Sequence, residues 1–262
     1  MAASRVFSVF TKPWKMPLPE LGAFVARLGF DGVELPVRSG FQVEPGSVGR
    51  GLPAAVQTLA ACGVRVHSVA GPTDEATVAA CADAGVPLIR VCVEIPEGRG
   101  YLEFVSEVRR RWQALVPTLR RAGVAVGVQN HCGRSVGSAM GVRELIANFD
   151  PRQVCAVWDP AHCALAGEPP ELAADILGSH LRLVNLKNVL WRRTNGPEAE
   201  VARYQHHWTS GAQGLCPWPA VAEVLRCRGY EGPVCLTAEY SAAGEAERLI
   251  AADLAYARRL FA

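Results

Sequence analysis

The sequence predicts an α/β chain that closes as a single (β/α)8 barrel over residues 1–262, and three observations predict it. Strand-like segments alternate with helix-like ones through eight units with no break in composition between them, the pattern of a parallel sheet covered by helices. The length, 262 residues, matches the roughly 250 that such a barrel occupies. Polar residues recur at or just beyond strand C-terminal ends: Glu34, His67, Glu94, Gln129, His131, Asp159, His162, Asn185, Lys187 and Glu239. In a barrel those ends share one rim, where catalysis sits. An open doubly wound sheet is the alternative, but it calls for a Gly-rich phosphate turn after the first strand, and Thr11-Lys12-Pro13-Trp14 is not one.

Arg5–Phe10 reads as the first strand, and apolar Leu21, Phe24, Val25 and Leu28 mark a helix over Pro19–Leu28. Val33–Leu35 follows, then a Gly- and Pro-bearing loop, with Pro53 at the first turn of a helix ending at Cys62. Val64–Val69 alternates as the third strand, and Thr73 caps a helix over Asp74–Ala84. Leu88–Ile95 is the fourth strand. A long helix from Tyr101 to Ala122 carries Val105, Val108, Trp112, Leu115 and Leu119 on one face and five arginines on its solvated face. Strands at Val124–Val128, Val154–Trp158, Leu181–Lys187 and Val234–Ala238 alternate with helices at Met140–Asn148, Glu171–Ser179, Pro219–Cys227 and Glu245–Leu260. Asn188–Pro217 reads as a long loop of the lid or binding type.

The bulk properties exclude several classes. Half the residues are hydrophobic and the net charge is +2, so neither nucleic acid nor an acidic membrane surface is an expected partner. Met1–Trp14 lacks a signal-peptide core and no segment has the ~20 apolar residues of a membrane helix, which reads as a soluble, cytoplasmic protein. Nine scattered cysteines, with no C-x-x-C pair, fit neither a zinc ribbon nor a disulfide framework. Cys132 and Cys163 stand out only because each lies close to a candidate site residue.

Val154–Glu168, VCAVWDPAHCALAGE, is the most informative stretch. A buried strand runs into Asp159, Pro160 breaks it, and His162 follows. Packing needs neither polar group, so the pair points to chemistry, with an Asp that caps the next segment as the plain alternative.

GFDGVEL, WDPAH, NLKN and PWPAV followed by GYEGPVCLTAE resemble, in order and spacing, the xylose-isomerase-like TIM barrel family of sugar phosphate isomerases and epimerases. The resemblance implies a divalent metal held by a Glu, an Asp, a His and a Glu after successive strands. Asp159 and Glu239 match the second and fourth; Gln129 and Asn185 stand where the first Glu and the His belong, Asn188 replaces an Asp, and His162 matches a substrate-side histidine. An all-oxygen set of this kind suits Mg²⁺ or Mn²⁺ rather than zinc, and His131 is a replacement nitrogen donor within reach of the sequence position.

In the resembling ketose epimerases two glutamates exchange a proton on opposite faces of the substrate, and an amide such as Gln129 cannot take that part. Glu239, His131 and His162 remain as bases, with a metal or Lys187 to stabilise an oxyanion. The expectation is a sugar isomerase or epimerase working through an enediolate on a keto-sugar, aldose or cyclitol, with Glu34, His67, Arg192 and Trp208 as substrate contacts. A keto-sugar or inosose dehydratase stays open on the same site, as does a non-catalytic sugar-binding barrel with degenerate ligands. A zinc-dependent DNA-repair endonuclease of the same barrel type would need a denser set of histidines than six. Arg134 with Gly133 is the one compact candidate for a phosphate contact, and a homo-oligomer remains open.

Overall fold

The computed structural model describes residues 5–262; Met1–Ser4, the start of the stretch read for a signal peptide, lie outside the described residues. Eight parallel strands close into a barrel: β1 (Phe7–Phe10), β2 (Gly32–Pro36), β3 (Arg65–Ala70), β4 (Leu88–Cys92), β5 (Ala125–Gln129), β6 (Val154–Trp158), β7 (Leu181–Leu186) and β10 (Val234–Leu236). β1 pairs with both β2 and β10, which closes the ring and rules out the open sheet. Between β7 and β10 an antiparallel hairpin, β8 (Asn188–Arg193) and β9 (Tyr204–Thr209), stands outside the barrel. Among the described residues no helix is long and apolar enough to cross a membrane.

Helices α1 (Leu18–Leu28), α2 (Val48–Ala61), α3 (Glu75–Ala84), α4 (Tyr101–Ala122), α5 (Ala139–Ile146), α6 (Pro160–Leu165), α7 (Pro170–Leu177), α8 (Trp218–Cys227) and α9 (Ala246–Leu260) connect the strands. Their apolar faces pack on the outward side chains of the strands in one large core. A second, smaller cluster fills the barrel itself: Phe10, Ala70, Leu88, Ala125, Cys155, Val157, Leu183 and Cys235. Gly127 belongs to this layer, because a Cβ there would come within 2.7 Å of Val157 and 3.0 Å of Leu88. Side chains alternate along a strand with period two, so the next inward positions after this plug are Arg90, Gln129, Asp159, Asn185 and Thr237, with Lys187 and Glu239 beyond the strand ends in the same cavity wall. The apolar layer thus forms the floor on which a polar rim is built.

Four local expectations change. Pro53 lies inside α2 rather than at its start, since the helix begins at Val48; the carbonyl it leaves without a helical partner belongs to Gly49, an exposed residue. Asp74, not Thr73, caps α3, its carboxylate accepting from the Thr77 N–H at 2.8 Å, while the Thr73 hydroxyl accepts from the Trp112 indole at 3.1 Å. β4 ends at Cys92, which leaves Glu94 in the following loop and exposed. The stretch read as a long loop contains the β8–β9 hairpin, its pairing running from Asn188 opposite Thr209 to Arg193 opposite Tyr204.

Candidate active site

A cavity of about 170 Å³ opens at the C-terminal ends of the strands, lined among others by Lys12, Arg38, Arg90, Gln129, His131, Asn185, Lys187 and Glu239. That is below the roughly 300–1,000 Å³ of drug-sized sites and suits a small polar molecule. Residues separated by as much as the distance from Lys12 to Glu239 meet here because each ends or follows a barrel strand.

The centre of the site is the Lys187 ammonium. It donates to Glu239 Oε2 at 2.7 Å and lies 3.4 Å from Asp159 Oδ2. Burial alone would depress the Lys187 pKa, but Asp159 and Glu239 outweigh it and the group is held above its ordinary value, a charged ammonium. Glu239 Oε1 accepts from Lys12 at 3.0 Å. Burial alone would raise the Glu239 carboxyl, yet the two lysines hold it well below the usual carboxylate range. Ala238, just before it, has φ 51°, in the left-handed region that costs a non-glycine residue about 1–2 kcal/mol. Such strain collects where a side chain must be aimed.

Asp159 serves two purposes at once. Its Oδ1 accepts from the Ala161 and His162 N–H groups at 3.1 and 3.3 Å and caps α6, whose N-terminal dipole favours the negative charge. Its Oδ2 accepts from Gln129 Nε2 at 2.8 Å. Asn130 pins the backbone at this point, accepting from the Asp159 N–H at 2.8 Å and donating to its carbonyl at 2.9 Å. The capping and the chemical readings of Asp159 are therefore compatible.

The resemblance places a dication between Asp159 and Glu239, and the residues present do not fit it in this arrangement. The Lys187 ammonium already lies between the two carboxylates. Gln129 turns its NH₂ toward Asp159, because a carboxylate can only accept, and its oxygen accepts from the Cys92 thiol at 3.4 Å. Asn185 is fully buried and lines the cavity with neither amide atom hydrogen-bonded among the described residues. Among the described residues, the group whose donor atoms converge on one point is His131, Cys132 and His162, all within 4.8 Å of one another. Those are nitrogen and sulfur donors of the zinc type, unlike the oxygen set, and burial pushes the Cys132 thiol pKa up.

The two histidines differ. His131 lines the cavity. Its Nδ1 lies 2.9 Å from the Cys132 carbonyl, which can only accept, so Nδ1 carries the proton and Nε2 is the basic nitrogen. Burial, and then Lys187, lower its pKa, so the ring is neutral at pH 7. His162 lies behind it, ring centroids 4.2 Å apart, and is 1% exposed. Its Nδ1 accepts from the Cys132 N–H at 3.2 Å, and burial lowers its pKa to about 3. Trp208 of β9 covers both groups, its ring 4.5 Å from Lys187 Nζ and 5.5 Å from the His162 ring. The hairpin thus roofs the charged centre.

Other expected contacts lie elsewhere. Glu34 does not line the cavity: it is completely buried and its carboxylate is consumed by Arg90 Nε at 3.0 Å, Arg90 Nη2 and Ser68 Oγ at 3.0 Å. His67 is the unpaired residue of a bulge between β2 and β3, its ring packed against Gly32 rather than at the rim. Arg192 is exposed on the hairpin, and Arg134 donates to the Ile95 and Pro96 carbonyls, tying two loops together. Asn188 is structural. Its amide donates to the Gly211 and Cys216 carbonyls and accepts from the Val189 and Cys216 N–H groups, a pattern no aspartate can make. Sequence reasoning missed Lys12, Arg38, Arg90 and Asn130. Arg90 alone had a signal, a single charge inside the apolar strand LIRVC.

The family model described as xylose isomerase-like TIM barrel matches residues 23–260. A search of curated protein sequences returns no match. Among solved structures, the chain is similar to 3-keto-D-glucoside 4-epimerase from E. coli at 15% identity and TM-score 0.73, covering 98% of this chain and 100% of that one. It is similar to a D-psicose 3-epimerase at 12% identity and TM-score 0.71, over 98% and 99%. A probable 3-DHS dehydratase from Bacillus anthracis aligns at 13% identity and TM-score 0.69, over 95% and 97%. Likeness at these identities concerns the fold.

Proposed function

The chain belongs to the xylose isomerase-like TIM barrel family, and from that premise we propose that it is a sugar isomerase- or epimerase-type enzyme acting on a small keto-sugar or polyol. The observation that carries the reading is the buried Lys187 ammonium in the wall of the same cavity as the unpaired Asn185 amide and the neutral His131 ring. A substrate carbonyl oxygen accepts from Lys187 and from the Asn185 NH₂. His131 Nε2 removes the proton from the adjacent carbon, and the enediolate charge that develops is stabilised by the fixed ammonium. The imidazolium then returns the proton to the neighbouring carbon while the hydroxyl proton passes between the two adjacent oxygens, which interconverts aldose and ketose; epimerisation would need the proton to come back to the same carbon from the opposite face, from water or a second acid. Glu239 and Asp159 hold Lys187 in place, and Glu239 itself, with its depressed basicity, is a poor proton acceptor. No step needs a metal.

A second outcome starts from the same enediolate. Having one base of suitable strength rather than a matched pair, the site serves β-elimination of a hydroxyl as well as it serves isomerisation. Incubation with candidate keto-sugars in D₂O tests both: deuterium entering at the carbon beside the carbonyl supports proton abstraction, and loss of water by mass spectrometry selects elimination. If no keto-sugar or keto-polyol exchanges deuterium above the rate of the Lys187→Met variant, the enzymatic reading is wrong.

A further inference from the structure

Four cationic side chains line the cavity, and three of them are matched. Lys187 has Asp159 and Glu239, Lys12 has Glu239, and Arg90 has Glu34. Arg38 is the exception: among the described residues no carboxylate lies within 4.0 Å of it and its guanidinium makes no hydrogen bond. The remaining carboxylate of the lining, Glu94, is exposed at the lip. Arg38 is held in position all the same. Its N–H donates to the Val43 carbonyl at 3.1 Å and its own carbonyl accepts from Phe41 at 3.2 Å, which closes its loop. The guanidinium lies 5.7 Å from the centroid of the Phe10 ring, which Arg90 also approaches at 4.6 Å. Burial, and then the neighbouring Arg90 charge, press its pKa down, a cost that a bound anion would relieve.

We propose that the substrate of this site is an anion, a small keto-polyol bearing a carboxylate or phosphate that Arg38 receives while the carbonyl meets Lys187. The carbonyl half rests on the proton-transfer reading above; the anion half does not. A guanidinium fixed at its base and lying 5.7 Å from an aromatic ring centroid is suited to two parallel hydrogen bonds to a planar carboxylate or to two phosphate oxygens. The cavity, about 170 Å³, leaves room for one such group on a short carbon chain and none for a nucleotide.

Binding of three probes with a common frame decides the matter: D-fructose, D-fructuronate and D-fructose 6-phosphate, titrated calorimetrically at constant ionic strength. One charge-assisted pair in a partly desolvated site corresponds to roughly ten- to hundredfold in Kd. At least one anionic probe is expected to bind that much more tightly than fructose, carboxylate against phosphate being told apart by which one does. Arg38→Ala should bring the anion to within about twofold of fructose, with Arg38→Lys keeping part of the preference. Thermal melting of each variant verifies that it folds. If neither anion binds more tightly than fructose, or if the preference survives in Arg38→Ala, the inference is overturned. Deuterium exchange on the same probes reads separately: an anion preference without exchange refutes the proton-transfer reading alone, and exchange without a preference refutes this one alone.

Discussion

Two ion pairs are buried in the same barrel, one on each side of its axis, and they are built to opposite ends. Glu34 and Arg90, on β2 and β4, are closed: both Glu34 oxygens are taken, Ser68 completes the set, and Phe10 covers the guanidinium. Lys187 with Asp159 and Glu239, on the β6, β7 and β10 side, is open. It faces a cavity, the Asn185 amide in the same wall has no partner among the described residues, and Ala238, directly before Glu239, has a left-handed φ of 51°. A buried polar group without a partner costs about 1–3 kcal/mol, and a ligand hydrogen-bonding to the Asn185 amide would offset that cost, which supports the proposed reading of this side of the barrel. A carboxylate and a buried cation are thus fully paired on one side of the barrel and face a cavity on the other.

Exchanging the two charges is the strongest way to break that contrast. Lys187→Met should lower turnover about 10³-fold, the scale of a lost oxyanion donor in a dry site. Arg90→Met leaves Glu34 buried without a counter-charge and should cost about 3–5 kcal/mol of stability, seen in urea melts, while the protein that remains folded loses far less turnover than Lys187→Met. Pairing Arg90→Met with Glu34→Leu should recover most of that stability, since a matched apolar pair removes the orphaned charge. Recovery of turnover by the double variant at the Lys187 centre, Lys187→Met with Glu239→Leu, would show that the open pair is architecture too.

Replacing His131 comes next. His131→Gln should lower deuterium exchange about 10²-fold without altering substrate binding, within the range of a lost general base. The pH profile carries the sign. Burial and Lys187 lower the His131 pKa from 6.5, so kcat/KM should be flat above pH 6.5 and fall only as the pH drops below it. If the acidic limb of the profile survives unchanged in the residual activity of His131→Gln, the role of base returns to a carboxylate.

How much of this was legible in the sequence follows from where each residue sits relative to its strand. Asp159, Gln129, Asn185, Lys187 and Glu239 could be singled out because each ends an apolar run, and period-two alternation from the inner plug carries them inward. Arg38 and Lys12 lie in loops, where no periodicity indicates direction, so their place at the cavity needed the fold. His67 was misplaced by a bulge, which breaks the very alternation that located the others. The hairpin was hidden because β8, NVLWRR, runs its apolar residues Val189, Leu190 and Trp191 together instead of alternating them, and its outer half is exposed beyond the barrel. Most informative is the divergence at the metal position. The sequence supplied the four side chains, but that Lys187 points between two of them is a matter of side-chain direction alone.

Restoring the family carboxylate sharpens the same point more gently. Gln129→Glu would set a third carboxylate against Asp159 Oδ2, where the Gln129 amide now donates at 2.8 Å, and add the negative charge a dication needs. Wild-type turnover should be unchanged by EDTA, whereas Gln129→Glu should gain a Mn²⁺-dependent rise of a few degrees in Tm, by mass action of a ligand that binds the folded form. A wild-type enzyme silenced by EDTA and restored by Mn²⁺ would mean that Lys187 yields its position to the metal.

The smallest effect separates the open centre from the closed one through pH. The His162 pKa is lowered by burial from 6.5 to about 3, so on acidification the unfolded chain binds a proton before the folded one does. Stability from this group is therefore complete above pH 6.5 and lost progressively as the pH falls from 6.5 toward 3. Glu239, a carboxylate held below its usual range, begins to lose its contribution only as the pH falls through about 4.5. The interval from pH 6.5 to 4.5 thus leaves out Glu239 and holds the histidines, of which His67, His131 and His180 are lowered as well, together with Asp253, whose carboxyl burial raises; only the difference between His162→Asn and the parent protein belongs to His162. His162→Asn should reduce the slope of unfolding free energy against pH there by up to about 1.4 kcal/mol per pH unit. An unchanged slope would mean that His162 is charged in the folded protein and pairs with Asp159 Oδ2, 3.6 Å from its Nε2. The open centre would then hold a second fixed cation, and His131, its ring stacked 4.2 Å away, would be too weakly basic for the part assigned to it.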